Sequence, residues 1–535
     1  MNVAAVLYAL GKLMQVMGGF LLAPLAIALW DGRVQGLPRL FAAADASGLL
    51  VAAVFGLAVG TLLAALFRRG RGRQGLREGY AIVTIGWLTL TFVAALPLFL
   101  YFWRVGMPDG SVSGLRAFTD AYFEIMSGFS TTGATILSNI EAVPRSLLFL
   151  RSLTHWLGGM GIITLAIVIF PAMGVSAYSM YRGEVPGPSH DKLRPRLAQT
   201  AQVLWGVYVL LTALQTVLLI FGGMTWFDAV NHSFATMATG GFSTRNASVA
   251  AYNSPYIEWV IIVFMYLAGV NFLLHFKALR GDLRSLTHNS EFIFYSAVIA
   301  LAALAATIVL YLQGLEPMAE AARSFRAHPP TETAFLERYL TEQSRLEGLA
   351  DCFRAALFQV VSVTTTTGFS TADFDMWPDF VRFLLMVLMF FGSMAGSTGG
   401  GIKMIRVMVV AKAAANVVRK LTQPRLVAPV KVGGQPLDND KIISIAALFV
   451  FFTGLFVLTS MLLMLFIPDM ITAASASIAT LANVGPGLAG VGAVENYGWI
   501  PAPAKWLLVL SMLLGRLEIR SEERRVGKEC RLTCR

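Results

Sequence analysis

Thr364-Thr365-Thr366-Thr367-Gly368-Phe369-Ser370-Thr371 is an uncharged polar phrase set between long apolar segments. Three similar phrases occur elsewhere: Ser130-Thr131-Thr132-Gly133-Ala134-Thr135, Ala238-Thr239-Gly240-Gly241-Phe242-Ser243-Thr244 and Ala482-Asn483-Val484-Gly485-Pro486-Gly487. Their central glycines, Gly133, Gly241, Gly368 and Gly485, stand 108, 127 and 117 residues apart. One short polar loop recurring four times at near-regular spacing marks an internally repeated architecture.

The 535 residues are 56% hydrophobic and only 14% charged, against about 25% charged in soluble chains. Apolar runs near the ~20 residues needed to cross a bilayer core recur along the chain. They predict spans at 4–30, 46–67, 79–102, 145–173, 201–223, 255–275, 291–313, 379–411, 441–467 and 503–519. The first is too long for a signal-peptide core and lacks a small-residue cleavage site, so it reads as a retained span. Shorter semi-apolar stretches, 116–130, 226–238, 351–364 and 468–482, each run straight into a glycine loop. Segments that short are re-entrant or buried helices.

The expected fold class is an all-α polytopic membrane protein. Four pseudo-repeated units of span, pore helix, filter loop and span surround one pore, with two extra N-terminal transmembrane helices. The helices of residues 1–70 precede units at 71–180, 181–285, 286–425 and 426–519. Asp120 and Asp228 each precede their loop glycine by 13 residues, whereas Ala355 and Thr472 hold that place in units three and four. Residues 520–535 read as the translation of a sequencing adapter that cuts the last span short. They carry six Lys/Arg and three Glu, so the net charge of +11 becomes +8 without them.

The basic residues point to topology rather than nucleic acid. Arg68, Arg69, Arg71, Arg73 and Arg77 share one side with Arg182, Lys192, Arg194, Arg196, Lys277, Arg280 and Arg284, and with Lys412, Arg419, Lys420, Arg425 and Lys431. The positive-inside rule makes that side cytoplasmic. The N-terminus is then inside and the glycine loops open outward. The insert Gly314–Leu349, with six Glu and four Arg, lies outside and reads as a solvated cap. Cys352, Cys530 and Cys534 form neither a metal-ligand spacing nor a disulfide framework.

Irregular backbone at membrane depth persists only where protein buries it or water lines it. Four such loops around one axis therefore imply a pore. The loops carry Thr, Ser, Gly and Asn but no carboxylate, so selectivity must come from carbonyls and hydroxyls that replace a cation's water. Successive inward carbonyls need residues with φ > 0, hence glycine. The short helices also aim their negative C-terminal dipole ends at the same place. A weakly hydrated monovalent cation fits this chemistry. Gly392, Gly396, Gly399, Gly400 and Gly401 interrupt the span 379–411. At about 1 kcal/mol each relative to alanine, they predict a broken helix and an intramembrane loop. Gly401 is followed by Ile402 rather than Lys, so the run is no phosphate loop.

Three further stretches complete the pattern: Trp156-Leu157-Gly158-Gly159-Met160-Gly161, Gly396-Ser397-Thr398-Gly399-Gly400-Gly401-Ile402-Lys403 and Gly515-Arg516-Leu517-Glu518. With the four loops they resemble the TrkH branch of the Trk/Ktr/HKT cation transporter superfamily over residues 1–519. The two extra N-terminal spans sit closer to that branch than to KtrB. The resemblance implies that each unit corresponds to one potassium-channel subunit. It implies a K+ filter made of Thr131-Thr132-Gly133, Thr239-Gly240-Gly241, Thr366-Thr367-Gly368 and Asn483-Val484-Gly485. In plant relatives a serine in place of the first filter glycine goes with sodium selectivity; glycine in all four loops here implies potassium. The broken helix of unit three is then a gate below the filter, with Gly396, Gly399, Gly400, Gly401, Lys403 and Arg516 as gating residues. The resemblance also implies a homodimer in a bacterial inner membrane, each chain with its own pore, and a cytoplasmic TrkA-type nucleotide-binding ring. No Rossmann fingerprint follows a strand, so no nucleotide is expected on this chain.

Other polar residues have two readings each. Lys403 either snorkels to the cytoplasmic side or serves the gate. His155 and His232 read as bonds to neighbouring helices before proton sites. Asp120, Glu124 and Asp228 read as helix anchors before cation attractors. The expected function is the potassium-translocating subunit of a Trk-type uptake system, channel or symporter, with a sodium-permeable or sodium-coupled transporter as the alternative. An intramembrane enzyme would need a nucleophile with its base, or paired carboxylates. The spans hold no HExxH and no carboxylate pair.

Overall fold

The computed structural model describes residues 1–31, 43–70, 76–106, 113–161, 197–318, 332–423 and 429–517. Residues 162–173 of the fourth expected span lie outside them. So do Arg71, Arg73, Arg182, Lys192, Arg194, Arg196, Arg425, Glu518 and the tail 520–535.

Helices α1 (Val3–Phe20) and α2 (Leu22–Trp30) make one 28-residue span, and α3 (Ala44–Leu66) returns beside it. They meet at small residues. A Cβ on Gly11 would press on the Gly60 carbonyl, and one on Gly60 on the Gly11 carbonyl. Close backbone approach of this kind drives association where lipid offers no hydrophobic force.

Unit one comprises α4 (Leu76–Val105), pore helix α5 (Gly114–Phe129) and α6 (Arg145–Gly159). Unit two comprises α7 (Leu197–Phe221), pore helix α8 (Trp226–Met237), α9 (Pro255–Ala268) and α10 (Phe272–Leu279). Unit three starts with α11 (Ser290–Gln313), an external helix α12 (Glu332–Ser344) and pore helix α13 (Leu349–Thr364). It ends in α14 (Asp379–Phe390) and α15 (Met404–Thr422), the predicted break lying between them. A two-stranded hairpin, β1 (Lys431–Val432) antiparallel to β2 (Gln435–Pro436), precedes unit four. That unit is α16 (Asn439–Met464), pore helix α17 (Met470–Leu481) and α18 (Ala502–Arg516).

Among the described residues six helices are long and apolar enough to cross a membrane. One expectation needs correction. The span 255–275 is not one helix: α9 and α10 are bent by 103°. Gly269, Val270 and Asn271 separate them, and Asn271 caps α10 by accepting from the Leu273 N–H at 2.8 Å. The break falls at Gly269-Val270-Asn271 inside a mostly apolar run, whose overall hydropathy reads as a single span.

Pore helices are buried on nearly every face, and two of their charged groups pair across units: Asp120 with Lys505 and Arg354 with Glu258. Asp120 on α5 accepts from Lys505 Nζ on α18 at 2.5 Å, and Lys505 also reaches the Gly498 carbonyl at 2.9 Å. Both side chains are 2% exposed. The end of α12 is clamped to three units. Arg345 donates to the carbonyls of Thr371 (2.5 Å) and Ala250 (3.2 Å). Glu342 accepts from the Asp373 N–H (3.1 Å) and Trp377 Nε1 (3.2 Å), while Arg338 meets Glu495 at 3.1 Å. The helix thus ties units two, three and four. Beneath it, Asp375 accepts from the Ala489 N–H at 2.8 Å and faces Arg382 at 3.7 Å. Burial pushes its carboxyl up to about 7, although Arg382 and the Ala489 bond pull it back.

Two outcomes follow. Lys505→Met strips buried Asp120 of its lysine and lowers unfolding stability by about 3–5 kcal/mol. Lys505→Met combined with Asp120→Leu recovers most of it, as thermal unfolding in detergent will read. Folded Asp375 holds its proton up to about pH 7 against 3.8 for a free carboxyl. The stability it contributes is therefore complete below pH 3.8 and lost as pH rises through 7. Across that window the melting temperature falls less steeply with pH in Asp375→Asn than in the parent.

Candidate functional site

The four pore helices end in the same way. Just past each C-cap one residue takes left-handed backbone: Thr131 (φ 55°), Thr239 (54°), Thr366 (57°) and Asn483 (57°). Its N–H and that of the next residue bond back into the helix. Thr131 donates to Gly128 and Thr132 to Ser127; Thr239 donates to Thr236 and Gly240 to Ala235. Thr366 donates to Val363 and Thr367 to Ser362; Asn483 donates to Thr480 and Val484 to Ala479. This is a Schellman ending, made usually with glycine. A β-branched residue in that region is an outlier and stores about 1–3 kcal/mol of strain. The loop glycine follows two residues later, also left-handed: Gly133 (83°), Gly241 (80°), Gly368 (80°) and Gly485 (101°).

These glycines touch the neighbouring loop. A Cβ on Gly133 would strike the Gly240 carbonyl oxygen, on Gly241 that of Thr367, on Gly368 that of Val484, and on Gly485 that of Thr132. The contacts run from loop one through two, three and four back to one, so the loops close a ring in chain order. Thr131, Thr132, Thr239, Thr366, Thr367, Asn483 and Val484 are all 0% exposed. Their main-chain carbonyls and that of Gly240 accept no hydrogen bond from any described residue. A buried acceptor left unbonded costs about 1–3 kcal/mol. A ring of neutral carbonyl acceptors has the chemistry that can replace a cation's hydration shell.

Side-chain clamps fix the ring. Glu124 on α5 pairs with Arg151 on α6 at 2.7 Å and accepts from Thr135 Oγ1 and the Ile136 N–H, each at 2.8 Å. Arg151 lies over the Phe242 ring at 4.1 Å and reaches the Ser243 carbonyl at 3.3 Å, joining loop one to loop two. His155 bonds the Gly128 carbonyl (2.9 Å) and the Phe242 N–H (3.3 Å). His232 bonds the Asp228 carbonyl (2.8 Å) and Ser243 Oγ (3.0 Å). Asp228 accepts from Thr225 and Thr244 at 2.9 and 2.6 Å. Each of these groups anchors a loop limb. Arg151, Lys505 and Glu291 carry no sequence signal by which their partners could be found.

The broken helix of unit three lies against the inner end of the ring. Arg516 donates to Thr131 Oγ1 and the Thr398 carbonyl, each at 3.0 Å, and to the carbonyls of Gly158 (2.6 Å) and Gly159 (3.1 Å). The Gly400 N–H donates to Thr366 Oγ1 at 2.7 Å. Thr398 Oγ1 donates to the Met237 carbonyl at 3.0 Å and stands 3.5 Å from Thr239 Oγ1. A Cβ on Gly400 would strike the Ala482 carbonyl. Residues 398–400 and Arg516 therefore meet all four loops at once. Lys403 does not snorkel: it is 3% exposed and donates to the Gly399 carbonyl. Among the described residues no cluster of His, Cys, Asp or Glu could hold a metal ion.

A family model described as TrkH, cation transport protein, matches residues 47–522. The chain is 37% identical over 465 residues to the Trk system potassium uptake protein TrkH of Salmonella typhimurium, covering 86% of this chain and 88% of that protein. It is 36% identical over 522 residues to the protein of that name from Halomonas elongata, covering 97% of each. Its fold is similar to the crystal structure of the potassium transporter TrkH from Vibrio parahaemolyticus, with a TM-score of 0.77, 32% identity and 97% of each chain covered.

Alanine at Gly241 meets both a left-handed backbone and the Thr367 carbonyl. Gly241→Ala reduces cation uptake at least about tenfold through strain and collision. Gly223→Ala shares the left-handed backbone (φ 91°) but has nothing within 4 Å, and leaves uptake near the parent. Paired flux assays at equal protein level separate the two.

Proposed function

The chain belongs to the TrkH family of cation transport proteins, and on that premise we propose that it is the potassium-translocating subunit of a Trk-type uptake system. Its ion filter is Thr131–Gly133, Thr239–Gly241, Thr366–Gly368 and Asn483–Gly485. The observation that carries this reading is the closed ring of buried carbonyls with no donor among the described residues. The ring offers neutral dipoles only, so an ion gains coordination but not a trap, as conduction requires. Neutral oxygens suit K+, whose water is cheaply shed. With glycine in all four loops, no observation favours the sodium-permeable alternative.

The segment Gly396–Lys403 and Arg516 act as the gate. A guanidinium held against the inner end of the filter repels an arriving cation strongly in a low-dielectric setting. The neighbouring loop fills the remaining path. Conduction then requires residues 398–401 to withdraw and Arg516 to leave its four acceptors. The chain works as a homodimer in a bacterial inner membrane, its N-terminus cytoplasmic. Basic residues such as Lys277, Arg280, Arg284, Arg419 and Lys420 face the cytoplasm, where a TrkA-type partner docks and supplies the nucleotide response.

Purified protein in liposomes passes K+ well ahead of Na+; equal permeability overturns the potassium assignment. Gly399→Ala, Gly400→Ala and Gly401→Ala combined cannot seat against Ser393, Thr365 and Ala482. That variant leaks K+ faster at an unchanged K+/Na+ ratio, and an unchanged flux sinks the gate.

A further inference from the structure

The gating segment has a second set of contacts, on the side away from the filter. Glu291, in the first turn of α11, is 6% exposed. Its Oε1 accepts the Ala395 N–H at 2.7 Å and the Ile405 N–H at 3.1 Å. One donor precedes Gly396 and the other follows Lys403, so a single carboxylate oxygen holds both ends of the loop. Lys403 also interacts electrostatically with this carboxylate.

The bend of unit two supplies the rest of the hold. The Met394 N–H donates to the Gly269 carbonyl and the Phe272 N–H to the Gly396 carbonyl, both at 3.0 Å. Asn271 packs directly on Gly396. The break between α9 and α10 thus frees main-chain groups that the gate consumes, one of the recognised causes of a sharp kink. Gly396 (φ 78°) and Gly401 (φ 63°) are left-handed. They stand between the held ends and the filter-facing residues 398–400, where a hinge must absorb backbone rotation.

We infer that Glu291 is a positioning residue for the gate, latching residues 395–405 shut against a dock formed by the helix break at 269–272. The inference rests on the reading of this segment as a gate. Bonds to a charged acceptor are about twice as strong as neutral ones, so the latch is strong yet released by one carboxylate. Residues 280–289 join α10 to α11. They carry Arg280 and Arg284 on the basic side of the chain. Displacing that connection moves both halves of the hold together.

The test uses the full chain in liposomes with no partner added. Glu291→Gln keeps the oxygen and drops the charge; Glu291→Ala drops both. K+ flux is expected to rise a few-fold for the first and roughly tenfold or more for the second. The K+/Na+ ratio stays at the parent value in both, a result that general loosening of the fold would not give. Glu291→Gln added to the triple alanine variant gives no further rise, because the loop is already unseated. Unchanged flux in Glu291→Ala overturns the latch, and the gate reading survives if the triple alanine variant still leaks. If neither variant moves flux, the gate reading itself fails. A rise accompanied by lost K+ preference overturns the positioning role in favour of filter collapse. Where Glu291→Ala does not elute as a single species, Glu291→Gln decides alone by the same criteria.

Discussion

Everything in this molecule answers to one steric condition: a bare α-carbon in each loop must lie against the carbonyl of the next. The four contacts, Gly133 on Gly240, Gly241 on Thr367, Gly368 on Val484 and Gly485 on Thr132, leave no room for a methyl group. Hard-sphere contacts of that kind do not stretch, so the four units must be held in register to a fraction of an ångström. Each seam has its own brace. Lys505 and Asp120 join units four and one. Arg151, Glu124 and Phe242 join one and two. Arg345 bridges two and three across the outer face. Asp375 joins three to four through the Ala489 N–H. Buried ion pairs give little net stability compared with apolar packing. Their directionality is what a register-critical ring uses.

The same helix endings also hold the broken segment of unit three. The left-handed threonines meet residues 398–400 and Arg516 through their hydroxyls: Thr131 accepts from Arg516, Thr366 from the Gly400 N–H, and Thr239 stands 3.5 Å from Thr398. The proposed filter and gate therefore share the same four helix endings, the main-chain carbonyls on one side and the side chains that meet residues 398–400 and Arg516 on the other.

Much of this was legible in the residues. The fourfold glycine phrase gave the repeat, the short helices before it gave the re-entrant geometry, and five glycines in one span gave the broken helix. Four things were not. The left-handed Thr131, Thr239 and Thr366 defy β-branched preference, so only the tertiary ring explains them. The 103° bend falls at Gly269-Val270-Asn271, but the main-chain partners that hold it lie far along the chain in unit three. Ion pairs such as Asp120 with Lys505, separated by 385 positions, leave no local trace. Lys403 looked like an interfacial lysine because its burial depends on the loop folding back over it.

Channels assembled from four identical subunits receive any substitution in quadruplicate. Here the ring is written once along a single chain, and its fourth quarter already departs from the others, with Asn483 donating to Thr132 Oγ1 at 2.9 Å and to the Met512 carbonyl at 3.1 Å. If the four loops form the proposed filter, a substitution in one loop changes the ligands of one quarter only. Selectivity in such a protein can drift by single ligands, through intermediates that still conduct, along a route closed to a symmetric tetramer.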